Sequence, residues 1–216
     1  MLKARGNSSS RGTGLRDPER TRERLLEASF HEIYRSGFQS ASLDIIVAAA
    51  GVTKGALYYH FNSKEALGYA VVEEILAPDL RAKWLRPIER GKDPIDTLIG
   101  IVEAESVRPA DVRGGCPLNN LAQEMSALDE GFRKRLQTVF REWQEGVASA
   151  LREGQAQGKV RRDVEPADAA GLLIAMVEGY VSLAKNAQDA KVSKAGKKNM
   201  VAWLRSLRSP GNRRRG

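Results

Sequence analysis

The chain has 216 residues, 42% of them hydrophobic, with 35 Lys and Arg against 27 Asp and Glu and a net charge of +8. That apolar content excludes a disordered chain, and the basic excess suits a polyanionic partner, nucleic acid before membrane, or else plain solubility. The single cysteine excludes an intramolecular disulfide framework and fits a reducing cytoplasm, no apolar run is read as reaching the length of a membrane span, and the N-terminus lacks the apolar core of a secretory signal.

Residues 1–16 are Gly, Ser, Asn and Arg with almost nothing to bury, which predicts a disordered basic tail. Such a tail is either an arm along phosphates or a solvated terminus. Asp17 and Pro18 predict a helix cap and first turn, and the helix runs through PERTRERLLEASFHEIYRS. Leu26, Phe30 and Ile33 share one face of it. His31 is read as structural. Gly37 supplies a left-handed stop on which Phe38 folds back.

Ser42 predicts the cap of a second helix, whose Leu43, Ile46, Val47 and Ala50 fall at i, i+3, i+4 and i+7. Gly51 supplies the next turn and Thr53 caps a short third helix. Val52 and Leu57 make a hydrophobic staple across that cap, and Leu57 and Phe61 belong to the core. Either Asn62 or Ser63 caps a fourth helix, which reaches Pro78 or beyond.

The pattern then stays helical. Asp93 and Pro94 open a helix with Ile95, Leu98, Ile99 and Val102 on one face; residues 109–115 are a break; Pro117 restarts a helix through PLNNLAQEMSAL. A long helix keeps Phe132, Leu136, Val139, Phe140, Trp143, Val147 and Leu151 in one stripe until Gly158. Glu165 and Pro166 open an apolar helix with Leu172, Leu173, Met176, Val177, Tyr180 and Val181. A last helix carries Met200, Trp203, Leu204 and Leu207. Residues 209–216 are a second disordered basic tail. Nothing reads as a strand, so the class is all-α.

The second and third helices, joined at Gly51, form a helix-turn-helix, which offers one helix end to a DNA major groove. The outward N-terminal residues of the third helix are Thr53, Lys54, Gly55 and Ala56. Lys54 can donate to guanine O6 or N7, the Ala56 methyl can meet a thymine methyl, and Gly55 lets the backbone come close. Tyr58, Tyr59, His60 and Lys64 suit phosphate oxygens, with Tyr58 alternatively packed on the first helix. The helix N-termini at Ser42 and Thr53 can add backbone N–H groups.

GVTKGALYYHFNSKEAL, together with the RERLLEASFHEIYRSGF helix before it, resembles the DNA-binding segment of the TetR family of bacterial transcriptional repressors. The likeness covers about residues 20 to 70. It implies an all-helical homodimer with a helix-turn-helix head at 17–64 and a larger ligand-binding and dimerisation domain at 65–208. Carried over by position, Thr53, Lys54, Gly55 and Ala56 read bases, and Ser42, Tyr58, Tyr59, His60 and Lys64 contact phosphate. Ala56 departs from the Thr or Ser often found there in the family, so that hydroxyl contact is absent.

The resemblance also implies an effector pocket among the helices of about residues 93–158, for which Trp84, Ile99, Val102, Cys116, Leu121, Met125, Phe140 and Trp143 are candidates, each alternatively ordinary core. Cys116, in GGCPLNNL at a helix start with Arg113 nearby, is either a reactive sensor of electrophiles or a small packing residue. The apolar helix and the last helix would pair with their copies in a four-helix bundle, through Leu172, Ala175, Met176, Gly179, Tyr180 and Trp203. The partners implied are operator DNA, an unidentified small-molecule effector and a second copy, with no membrane and no cofactor.

Two other classes compete. An enzyme is disfavoured because the sequence has no Gly-rich phosphate loop, metal-ligand cluster or nucleophile elbow. Glu103, Glu105 and Glu124 read as surface or pocket-polar groups. A sequence-independent architectural DNA binder has no use for so large an apolar second domain.

Overall fold

The computed structural model describes residues 17–105 and 108–210, and all of its regular elements are helical. Helix α1 (Pro18–Ser36) begins where Asp17 accepts the N–H groups of Glu19 and Arg20, and ends at Gly37, whose φ of +82° few side chains tolerate. Phe38 is buried in the core. It packs edge-on to Phe132, with ring centroids 4.6 Å apart, and so joins the head to the second domain.

Helix α2 (Leu43–Ala50) buries Ile46, Val47 and Ala50 and ends at left-handed Gly51. Ser42 holds the cap position, yet its side chain makes no cap bond; its N–H donates instead to Glu32 Oε1 at 3.4 Å. Thr53 caps α3 (Lys54–His60) by accepting from Ala56 N–H. Of the two candidates for the next cap, Ser63 takes the role, accepting from Ala66 N–H at 3.1 Å.

Helix α4 spans 64–90, through both Pro78 and Pro87. A proline inside a helix lacks an N–H, and its ring collides with the carbonyl four residues back. Each proline follows a π turn, Val72–Leu76 and Arg81–Leu85, in which the bond reaches five residues back (Ala77 N–H to Val72 O, Arg86 N–H to Arg81 O). The wider turn lets the helix bend past the ring rather than stop.

The remaining helices are α5 (Pro94–Ala104), α6 (Pro109–Gly114), α7 (Pro117–Met125), α8 (Glu130–Ala156), α9 (Pro166–Ala187) and α10 (Ala190–Ser206). The stretch read as a break is mostly α6, a short helix opened by its proline. Helix α8, about 40 Å long, packs against α9, which in turn packs on α10. One continuous core runs from Leu25 in α1 to Leu207 after α10, so head and second domain share their interior.

Helix α9 is long and apolar enough to cross a membrane by length and composition, contrary to the expectation that no run is. Here it lies against α8 and α10 and carries Glu178 on its buried side. Beyond α10, Arg161 N–H donates to Leu207 O and Ser209 N–H to Lys159 O, which ties the chain to the loop after α8. The tail read at 1–16, and all of the 209–216 tail after Pro210, lie outside the described residues.

Candidate nucleic-acid interface and effector cavity

Of the residues read as DNA contacts, five are exposed and Ser42, Ala56, His60 and Lys64 are half-buried. Thr53, Lys54, Gly55 and Tyr58 lie open, and Tyr59 is 77% exposed, far from any core role. Tyr58, at 51%, stands out to solvent rather than on α1. Tyr59 and His60 meet edge to face at 5.0 Å, one unit of phenol and imidazole at the C-terminal end of α3.

Two of the predicted contacts are engaged within the protein. Lys54 Nζ lies 2.6 Å from Asp44 Oδ1 on α2, an ion pair in which both side chains remain exposed. Asp44 was not singled out from the sequence, although its place in the first turn of α2 put it beside α3. Lys64 Nζ donates to Gln39 O at 2.9 Å and lies over the Phe38 ring. It steadies the loop before α2, which leaves it less free for phosphate than its exposed neighbours.

That loop is held from two sides. Buried Glu32 accepts from Arg35, from Ser36 Oγ and from Ser42 N–H, and the Arg35 guanidinium keeps its carboxyl below the usual range. Glu124, on α7 of the second domain, accepts the N–H of Phe38 and of Gln39, each at 2.8 Å. The carboxyl read as a surface or pocket group is therefore a clamp between domains. Arg22 and Glu74 add a bidentate pair from α1 to α4.

A cavity of about 460 Å³ is lined by α1, α4, α6, α7, α8 and α9, with Ala104 at the end of α5 and Ser193 in α10. Trp84, Cys116 and Trp143 line it, as the sequence suggested. Ile99, Val102, Leu121 and Met125 do not; they are buried core, and Phe140 stacks outside on Trp143 at 6.3 Å. Glu105, read as a surface or pocket-polar group, also lines it, and the walls that sequence reasoning missed include Phe30 and Tyr34 from the head helix, Lys83 and Glu178. A signal for Glu178 existed, since it is the lone acid in the apolar run of α9 from Leu172 to Val181.

The cavity combines aromatic walls with a few polar groups. Trp84 and Trp143 meet at 4.8 Å, and Phe30 stacks on Tyr34 at 5.9 Å. Tyr34 OH donates to Gly115 O, beside Cys116. Lys83 pairs with Glu105 at 2.7 Å and Arg108 with Asp111 at 2.7 Å. Glu178 is buried, and burial pushes its carboxyl up to about 7 despite the contact from Cys116 and the charge of Lys83. Burial, and then the Glu178 carboxyl, push the Cys116 thiol up to about 12. A thiolate at this helix start is thus disfavoured, because desolvation outweighs the backbone N–H groups of Leu118 and Asn119. Among the described residues no group of three or more His, Cys, Asp and Glu could hold a metal.

On α9 the predicted interface residues divide. Leu172, Ala175 and Gly179 face outward, Leu172 at 48% exposure, together with Leu183 at 58%. Met176 and Trp203 are half-buried. Tyr180 faces α10, where its ring fills the space a side chain at Gly196 would need and its OH accepts from Asn199.

Residues 25–71 match the family described as bacterial regulatory proteins, tetR family, and residues 94–200 match the tetracyclin repressor-like C-terminal domain. The HTH-type transcriptional repressor DhaR of Mycobacterium sp. (strain GP1) is 31% identical over 160 residues, 74% of this chain and 80% of that protein. The transcriptional regulator AcuR of Cereibacter sphaeroides is 31% identical over 163 residues, 72% of each chain. A TetR transcriptional regulator from Chloroflexus aurantiacus superposes with a TM-score of 0.79 at 28% identity, over 90% of this chain and 98% of that one. With its helix-turn-helix head, its helical second domain and these relatives, the chain belongs to the TetR family of DNA-binding bacterial transcriptional regulators.

Proposed function

We infer that this protein is a cytoplasmic repressor that binds a palindromic operator as a homodimer and is released when a small molecule enters the cavity. The observation that carries the reading is the shared wall. Phe30 and Tyr34 belong to the head helix α1 and line the cavity, while Glu124 at the far end of α7 holds the loop leading into α2. The other end of α7, at Cys116, Pro117 and Leu118, lines the same cavity. A ligand that displaces either wall favours one head orientation over the other, which is what effector control requires.

In this reading Thr53, Lys54, Gly55 and Ala56 face bases, and Ser42, Tyr58, Tyr59 and His60 set the register on phosphate, with Lys64 in support. A duplex selected from a random pool by the full-length protein tests it. Two chains per palindromic duplex, and weak binding to a half-site or to scrambled DNA, are expected; equal affinity for scrambled DNA would favour an architectural binder. A second reading makes Cys116 a covalent sensor of electrophiles. The Glu178 carboxyl beside the thiol favours it, since it can accept the proton; the raised thiol pKa opposes it. Cys116→Ser decides: operator release by a mild electrophile that survives the substitution removes the covalent reading.

A further inference from the structure

We propose that the cavity takes a small organic cation, an amine whose ammonium N–H groups meet Glu178 and whose apolar body lies between the Trp84–Trp143 and Phe30–Tyr34 pairs. The proposal rests on the reading of this cavity as the effector site. The first support is the charge inventory of the walls. Lys83 answers Glu105 and Arg108 answers Asp111, each with a bond of 2.7 Å. Among the described residues Glu178 has no such ion pair; the Cys116 thiol contacts its carboxyl and Lys83 acts on it from a distance, but its Oε2 is buried without a hydrogen-bond partner. A buried carboxyl with an open acceptor is costly unless something charged or donating meets it.

The second support is the shape and chemistry of the remaining wall. Four aromatic rings in two pairs line a space of about 460 Å³. Aromatic faces attract a cation most strongly where water is excluded. An anionic ligand would find Lys83 and Arg108 already paired and only the Trp143 Nε1–H open to it, and a ligand with no donor would leave Glu178 Oε2 unanswered. Burial raises the Glu178 carboxyl to about 7, and a bound cation would restore the ionised form.

The test uses three probes of one shape, 4-phenylbutylamine, 4-phenylbutanol and 4-phenylbutyrate, titrated into the full-length protein and followed by tryptophan emission, since Trp84 and Trp143 line the cavity. The amine should bind at least about tenfold more tightly than the alcohol, and the carboxylate least. In Glu178→Gln the amine should lose about tenfold while the alcohol changes by less than about twofold. The proposal is overturned if the amine does not bind, if the alcohol or carboxylate binds more tightly, or if Glu178→Gln leaves the amine unaffected. Should that variant not fold, the ranking of the three probes on the native protein decides. Release of operator DNA separates the two ideas. If the alcohol or carboxylate binds and releases DNA while the amine does neither, the cation assignment fails and the effector-site reading stands. If the amine binds through Glu178 without changing DNA affinity, the reverse holds.

Discussion

Single residues in this protein balance internal partners against external ones. Lys54 is the one long cationic side chain in the first turn of α3, the end proposed to read bases, and Asp44 holds it and raises its pKa. The pair is fully exposed, so water and salt weaken it, and a guanine edge can displace the carboxylate. Lys54→Ala should weaken binding to the selected duplex by about tenfold or more and binding to random DNA much less. Tyr59→Phe should weaken both equally, as a phosphate contact would. Fluorescence anisotropy on the two duplexes measures the difference, and the opposite pattern would exchange the two roles.

Glu178 makes a residue-scale prediction of another kind. Its folded-state pKa of about 7 lies above the ordinary 4.5. Between those values the folded protein keeps a proton that the unfolded chain has lost. The stability involved is complete below about pH 4.5 and falls as pH rises through 7, by about 3 kcal/mol in all. Urea unfolding at pH 5 and pH 8 should show this fall in the native protein and a much flatter profile in Glu178→Gln. Cys116, Lys83 and Glu105 are the ionisable neighbours, and the thiol stays protonated over this range. Parallel profiles for the two proteins would mean that the carboxyl is hydrated in solution.

At the scale of elements, α7 is a second route between the cavity and the head, beside the direct wall that α1 supplies through Phe30 and Tyr34. Helix α7 has nine residues, with Cys116 and Pro117 at the cavity and Glu124 against the N–H groups of Phe38 and Gln39. A carboxylate bonded to two backbone N–H groups is a strong anchor, and its loss should cost about 2 kcal/mol at this half-exposed position. Glu124→Ala should therefore lower the melting temperature and weaken operator binding. It should also reduce the effect of a cavity ligand on DNA affinity while leaving ligand affinity nearly unchanged. A variant whose DNA affinity still responds fully to ligand would move the coupling to α4.

The caps and turns around this route were legible in the sequence because they are local. Asp17, Thr53 and Ser63 accept N–H groups two or three residues ahead, and Gly51 needs only its own φ. Pro78 was ambiguous because a proline can stop a helix or bend it. The π turn that decided the matter depends on packing of the whole of α4. The cavity was the least legible part. Its walls come from eight helices, and whether Met125 or Trp143 reaches the cavity depends on side-chain direction between distant segments, which periodicity does not encode. The inner partners of Glu124 and Lys64, the N–H groups of Phe38 and Gln39 and the carbonyl of Gln39, were not legible for the same reason: they lie far along the chain.

For the molecule as a whole, the proposed base readout by one head would be sparse, with one long donor per α3, so in that reading the pairing of heads would supply much of the specificity. The outward face of α9 offers the means. Leu172, Ala175, Gly179 and Leu183 recur at helical spacing, and a Cβ placed at Gly179 would meet nothing within 4 Å. A row of exposed leucines separated by small residues lets a second helix approach closely. Two copies of this face, with α10 alongside, would form the four-helix bundle that fixes the distance between heads. Leu172→Glu with Leu183→Glu places like charges opposite one another across such an interface while touching little of the core. Sedimentation should then show a monomer where the native protein is a dimer. Binding to the palindromic duplex should fall about a hundredfold or more, towards the affinity of one head for one half-site, because the second contact loses its effective concentration. A double variant that remains dimeric would place the interface on another surface. One that is monomeric yet binds the palindrome as tightly as the native protein would show that a single head reads more of the operator than Lys54 and its neighbours can account for.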